Sequence, residues 1–446
     1  MADRHSGGNA AARHVTLGSV FLLCASLLWG AVTLFNGLEH VGGACTDDFA
    51  RAYFSSLWIA RNNLFDYPNF LPGYPFLYGI LFRLTGHIFF VAHALTAFFA
   101  AGTMYLAGLL AIEAGGRRAS AALTVLLLCS TPLWIWLSSS MLSEPMFYAF
   151  ALLLLLGAVR WIRTQARAWI LTSLLASVAM SLTRYEGWPL SVLLALFVLY
   201  KGAWRPRFWL YAALSLTPIL SWLVLNHAYF GDPLHFLRTQ QAESVVYFAR
   251  QSGDALPPNL KMLVLFLGQF GYVLPAIGLA LFSSRGVRFL ALLSLLELAL
   301  TLMMLWNVVP TATVFPARSL MFAGLLGILT TSAVISEALG KRSGRRTAFA
   351  VLIGLIAIGC LWSGRRFDPR DFDPKTMDEI LLLRKSHELR EAVRRRPFAC
   401  QIDTDTCTAI PVVLDQTRHV ISLPFDVKTG TFYAPSWLRQ PPEVFL

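Results

Sequence analysis

Seven side chains, drawn from separate parts of the chain, have types suited to one chemistry: the acids Asp47, Asp48, Glu144 and Glu186 and the arginines Arg51, Arg184 and Arg318. A positioned carboxylate can act as a general base toward a hydroxyl group. A guanidinium is always charged and matches phosphate oxygens in geometry. Together these are sufficient parts for moving a sugar from a lipid phosphate to a hydroxyl. The acceptor hydroxyl is a poor nucleophile and needs a base. The leaving phosphate is stable as an anion, and its developing charge needs cations, either arginines or a divalent metal. Each residue also has a plainer reading. Thr46 or Asp47 can be a helix N-cap while Asp48 favours the positive end of the helix dipole, and Arg184 can tie two loops together by pairing with Glu186 or Glu144.

The elements that must position these residues are legible from periodicity and breakers. The stretch from Cys45 to Tyr78 cannot cross a bilayer, because Asp47, Asp48, Arg51, Arg61 and Asp66 would each cost about 3 kcal/mol at its centre. Ala50, Tyr53, Phe54, Leu57 and Trp58 recur at helical spacing, with Arg51, Ser55, Ser56 and Asn62 opposite. That pattern predicts a helix lying flat at the membrane surface. The run Leu71-Pro72-Gly73-Tyr74-Pro75 forces a turn, and a second short helix is expected over about Phe76 to Leu84. Two further turns carry Ser143-Glu144-Pro145 and Thr183-Arg184-Tyr185-Glu186-Gly187-Trp188.

Composition sets the class. The chain has 446 residues, 56% of them hydrophobic and 14% charged, with a mean hydropathy of +0.58. This excludes a soluble globular protein and predicts an all-α polytopic membrane protein. Eleven spans are expected: Val15–Phe35, Ile88–Ile112, Ala119–Leu137, Pro145–Val159, Ala168–Leu182, Gly187–Leu199, Phe208–Leu225, Met262–Phe282, Phe289–Val308, Ser319–Ile335 and Ala348–Leu361. With the N-terminus in the cytoplasm, the inner segments hold sixteen Lys and Arg against only Asp3, Glu113 and Glu337. The net charge of +12 is therefore a topology signal rather than a nucleic-acid groove. The first span lacks a small-residue cleavage site after it and reads as an anchor. Eleven spans place the C-terminus outside, and the acids and arginines named above all fall on that outer face. An outer arginine is unexplained by the positive-inside rule and needs a partner or an anion.

The outer connection Asn226–Lys261 is long enough to imply a function of its own and reads as a partly helical lid. Glu297 is the one acid well inside a span; a satisfied glutamate facing the bundle is the plainer reading, a functional one the sharper. Cys24, Cys129 and Cys360 fall in spans as small apolar residues, whereas Cys400 and Cys407 lie together in the outer tail, where a disulfide is one option. At about residue 364 the composition turns charged and proline-containing. This divides the chain into a membrane domain, 1–363, and a small extracytoplasmic segment, 364–446. The segment is expected to be α/β, with a helix over Thr376–Arg396 and strands at Phe398–Ile402 and His419–Leu423.

The acidic pair after the first span, the Leu-Pro-Gly-Tyr-Pro turn, the Ser-Glu-Pro turn and the Thr-Arg-Tyr-Glu-Gly-Trp turn together resemble the GT-C membrane glycosyltransferases. Within them the resemblance is to the protein O-mannosyltransferase and aminoarabinose transferase type, and it extends to about residue 340. It implies a polyprenyl-phosphate sugar as donor, transfer with inversion on the extracytoplasmic face, Asp47 or Asp48 as the base, and donor phosphate contacts from Arg184, Arg318 and Arg51. Glu144, Tyr185, Glu186 and Tyr74 would support the substrates. The acceptor would be a lipid, glycan or protein, the location a bacterial inner membrane, and no cofactor is implied beyond a divalent metal as an option. The competing class is a transporter or flippase for lipid-linked sugars, which would favour discontinuous helices, polar residues at mid-membrane and repeated halves.

Overall fold

The computed structural model describes residues 6–39, 71–85, 88–115, 117–139, 142–202, 204–238, 258–305, 316–340, 351–359, 407–414, 419–426 and 431–432. The helices are α1 (Ser6–Glu39), α2 (Gly73–Thr85), α3 (Ile88–Gly115), α4 (Arg118–Ser130), α5 (Pro132–Ser139), α6 (Glu144–Thr164) and α7 (Arg167–Thr183). They continue with α8 (Gly187–Lys201), α9 (Pro206–Phe230), α10 (Pro258–Phe270), α11 (Val273–Ala280), α12 (Arg285–Leu305) and α13 (Pro316–Gly340). A further helical segment covers 351–359. Among the described residues, each of the eleven expected segments overlaps helix. Among the described residues, five helices are long and apolar enough to cross a membrane, six if α4 and α5 count as one span. The protein is an integral membrane protein.

Two expected spans are corrected. Ala119–Leu137 is not one straight helix: α4 and α5 are bent by 77°. The break falls at Thr131, before Pro132, because the proline ring disfavours the α conformation in the residue preceding it. Thr131 is extended, and its N–H bonds Leu128 O while its hydroxyl bonds Leu127 O. Met262–Phe282 is interrupted at Gly271 and Tyr272, between α10 and α11.

α13 is the centre of the bundle and packs on α3, α4, α10, α11 and α12. Its apolar window is 94% buried, against 28% for α9, whose exposed Leu210, Leu214, Leu220 and Val224 suit contact with lipid. Glycines set the close approaches. A Cβ on Gly324 would meet the Phe270 ring at 2.6 Å, and one on Gly327 would meet Val273 at 2.3 Å. The shortness of these side chains lets α13 and the α10–α11 pair pack closely.

The tail's described residues form a three-stranded antiparallel sheet in the order β1 (Cys407–Leu414), β2 (His419–Asp426), β3 (Thr431–Phe432). Cys407 pairs with Asp426 and Leu414 with His419 in the β1–β2 register. β2 covers the expected strand at His419–Leu423. β1 was not anticipated, although Thr408, Ile410, Val412 and Val413 supply its β-branched residues. The strand expected at Phe398–Ile402, the helix at Thr376–Arg396 and Cys400 lie outside the described residues.

Candidate functional site

α6 and α7 run antiparallel against each other, so the first residue of α6 and the last turn of α7 meet at one end of the bundle. Pro145 starts α6 because its missing N–H costs nothing in the first turn. Its carbonyl accepts a hydrogen bond from Thr103 Oγ1 on α3 at 3.1 Å. Glu144, in the same turn, is favoured by the positive end of the helix dipole. At the end of α7, Arg184 leaves the helix with φ −147° and ψ 147°, its N–H still bonded to Met180 O. That extended residue turns its side chain back toward α6.

The Arg184 guanidinium joins both loops. Nη1 donates to Glu144 Oε1 at 2.7 Å and to Ser143 Oγ at 2.9 Å. Nε and Nη2 donate to the two oxygens of Glu186 at 3.2 and 2.7 Å, a bidentate fork. The side chains of Arg184, Glu144 and Glu186 are 14%, 1% and 12% exposed. Among the described residues, one guanidinium lies between two carboxylates in a largely buried place.

Two glycines let the surrounding chain close on this group. A Cβ on Gly187 would sit 2.8 Å from Met180 Cγ, and one on Gly73 would sit 2.7 Å from Leu182 O. Gly73 therefore lets the Leu-Pro-Gly-Tyr-Pro turn rest against the backbone end of α7. Tyr185 stacks on Phe236 with centroids 4.6 Å apart and meets the edge of Trp188 at 5.1 Å. Trp222 Nε1 donates to the Tyr185 hydroxyl at 3.1 Å, and Trp188 Nε1 donates to Ser181 O at 3.1 Å. Leu71 completes this apolar wall.

The structure thus brings together Glu144, Arg184 and Glu186, and both ion pairs given as the plainer reading of Arg184 are present. Tyr185 is in the adjoining aromatic wall. Tyr74 is buried, its ring 4.1 Å from that of Tyr78 in a cluster with Val91, Phe99 and Met146. Arg318 stands in the first turn of α13. Asp47, Asp48 and Arg51 lie outside the described residues. Among the described residues no group of three or more His, Cys, Asp and Glu is arranged to hold a metal. Sequence reasoning missed Ser143, Trp222 and Phe236. Ser143 is signalled by its place before Glu-Pro, and Phe236 by the expected lid, in which Gly231 at φ +69° ends α9. Nothing in the periodicity of α9 singles out Trp222.

The chain is similar to ArnT from Cupriavidus metallidurans. Against the crystal structure of ArnT bound to undecaprenyl phosphate it aligns with a TM-score of 0.51 and 16% identity, over 83% of this chain and 72% of that one. Against ArnT in the apo state the TM-score is 0.34 at 14% identity, over 96% of this chain and 100% of that one. No protein-family model and no curated protein matches. At such identity the likeness to the lipid-bound structure speaks to the fold alone: the membrane helices share the arrangement of that structure.

Proposed function

We propose that this protein is an inverting glycosyltransferase that moves a sugar from a polyprenyl-phosphate donor to an acceptor hydroxyl at the extracytoplasmic face of a bacterial inner membrane. The observation that carries the reading is the buried meeting of Arg184 with Glu144 and Glu186 at the end of a GT-C bundle, beside the close approach of Gly73 to Leu182. The solved relative with this fold was crystallised with undecaprenyl phosphate, which supports a polyprenyl phosphate as the lipid partner here. Asp47 or Asp48 would remove the acceptor proton as the hydroxyl oxygen attacks the anomeric carbon. The bond from that carbon to the phosphate oxygen breaks on the opposite side, the configuration inverts, and polyprenyl phosphate leaves as an anion.

The arginines divide the remaining work. Arg184 is already matched by two carboxylates, so its attraction for a phosphate is reduced, and its larger service is to fix the two turns. Arg318 takes the larger share of the donor phosphate, aided by the positive end of α13 in whose first turn it stands. Arg51 would add a further cation for the phosphate. Tyr185 with its aromatic wall, and Tyr74 beneath the Gly73 turn, would support the substrates.

The broken span at Thr131 is a feature that transporters also use. Here it is closed by its own backbone and hydroxyl bonds, with Ile135 N–H returning to Thr131 O at 3.0 Å, which favours the enzyme over a flippase. The test is purified protein supplied with sugar-charged undecaprenyl phosphate and candidate acceptors. Bare undecaprenyl phosphate should appear as sugar is transferred. Asp47→Asn and Asp48→Asn keep capping ability but cannot take a proton, and the variant lacking the base should turn over at least about 100-fold more slowly. Near-normal turnover in both would make the acidic pair structural and the mechanism wrong.

A further inference from the structure

Glu297 is an acid that the proposed reaction leaves unused. It lies on α12, is 6% exposed, and its Oε1 has no hydrogen-bond partner. Its neighbours on the same helical face, Ala291, Ser294, Leu298 and Thr301, are all buried. Burying an unsatisfied carboxyl is costly, and an apolar side chain at the position would avoid that cost. Such a residue within a membrane bundle calls for a ligand.

Its depth says which ligand is within reach. Ser294 on α12 donates to Ala323 O on α13 at 3.4 Å, and Glu297 stands three residues farther along α12, about 4.5 Å toward the Arg184 end. α13 runs the opposite way, so Glu297 is level with Leu320. On α6, Phe147 meets Phe322 of α13 with centroids 5.1 Å apart, and Glu144 lies three residues nearer the same end. Glu144 and Glu297 therefore share one level of the bundle. The Glu297 carboxyl is also within electrostatic reach of Glu186.

We propose that Glu297 is a specificity-determining residue whose carboxyl accepts hydrogen bonds from hydroxyl groups of the sugar on the lipid-linked donor, an inference that rests on the glycosyltransferase reading above. A phosphate is the wrong ligand for it, because an ionised carboxylate has no hydrogen to donate to a phosphate oxygen and repels it as a like charge. A sugar hydroxyl is neutral and donates, so it satisfies the orphaned oxygen without adding charge.

The test uses the full chain in phospholipid nanodiscs, with bare undecaprenyl phosphate and a panel of undecaprenyl phosphates carrying single hexoses or pentoses. The wild type should bind at least one charged lipid more tightly than the bare one. Glu297→Leu should hold bare undecaprenyl phosphate within about twofold of wild type and lose about tenfold or more for the preferred charged lipid. Glu297→Gln, similar in size but with one acceptor replaced by a donor, should lose about three- to tenfold for that lipid. A folded Leu variant with the wild-type preference overturns the inference. Should the Leu variant not fold, an unchanged preference in the Gln variant overturns it equally, and collapse of both variants makes Glu297 structural and does the same. A wild type that tells no charged lipid from the bare one sinks the glycosyltransferase reading itself, and this inference with it.

Discussion

The two ends of α6 carry ion clusters of opposite composition. At its start, one arginine lies between two acids: Arg184 with Glu144 and Glu186, all at most 14% exposed. At its far end, one acid lies between two arginines: Arg160 donates to Glu113 at 3.0 Å and Arg163 also bonds Glu113, with the arginine side chains 28% and 52% exposed. Arg160 further rests over the Trp169 ring at 4.6 Å, as suits an amphipathic side chain at a membrane boundary. The Glu113 end is a surface that water and headgroups can solvate, with Arg160 and Arg163 sharing one acid. The Arg184 end is a buried arrangement, held in spite of the desolvation it costs. What separates the two ends is burial.

The largest test of that contrast is Arg184→Ala. It would remove the buried charge-assisted bonds of Arg184 to Glu144 and Glu186, and the expected loss is about 3–5 kcal/mol of stability. It should be read as a fall in Tm in detergent or nanodiscs, together with loss of transfer. Arg184→Lys should recover only part of both, since an ammonium cannot reproduce the fork to Glu186. An Ala variant as stable as wild type would mean that the cluster is solvated after all, and the contrast between the two ends would vanish.

The glycine that closes this end comes next. Gly73→Ala places a methyl 2.7 Å from Leu182 O, a backbone atom that cannot swing away. The expected loss is about 1–3 kcal/mol. If the turn moves off α7 instead, turnover should fall more than stability does, because this turn follows the acidic stretch in the chain and rests against the end of α7 that bears Arg184. A Gly73→Ala protein with normal Tm and normal turnover would remove the turn from the site.

Glu144→Gln should cost about 1–2 kcal/mol. It keeps the shape and an acceptor for Arg184 while removing one carboxylate charge, so the loss of a charge-assisted bond is partly offset by relief of repulsion from Glu186. Glu186→Gln should cost less if burial decides, since Glu144 is 1% exposed and Glu186 12%. The reverse order in thermal unfolding would show that the bidentate fork outweighs depth.

Much of this contrast was legible in the sequence, for a physical reason. Pro145 and Gly187 mark helix ends regardless of tertiary context, so Glu144 and Arg184 could be placed at turns, and loop charges put those turns on one face. The pairing itself stood among the alternatives for Arg184. The break at Thr131 was missed because an apolar run long enough for a bilayer hid the Pro132 signal inside it. Trp222 and the depth of Glu297 were illegible, since each depends on how helices distant in sequence are set against one another, through contacts such as Ser294 to Ala323 and Phe147 to Phe322. The first strand of the tail, Cys407–Leu414, was hidden by Pro411 within it, which normally argues against a strand.

The smallest expected effect belongs to the other end and tests the contrast from that side. Arg163 is half exposed, and Arg160 also pairs with Glu113, so Arg163→Ala leaves that acid matched by one cation. Exposed pairs are worth about 0–1 kcal/mol and are screened by salt. Thermal unfolding should therefore shift by no more than this, with the difference from wild type shrinking further in high salt, and transfer should be unchanged because the site lies a full helix length away. The same salt series should leave the penalty of Arg184→Ala nearly intact, since a buried group is poorly reached by ions. Equal salt sensitivity at the two ends would mean that both are surface clusters, and that the Arg184 group owes its geometry to packing alone.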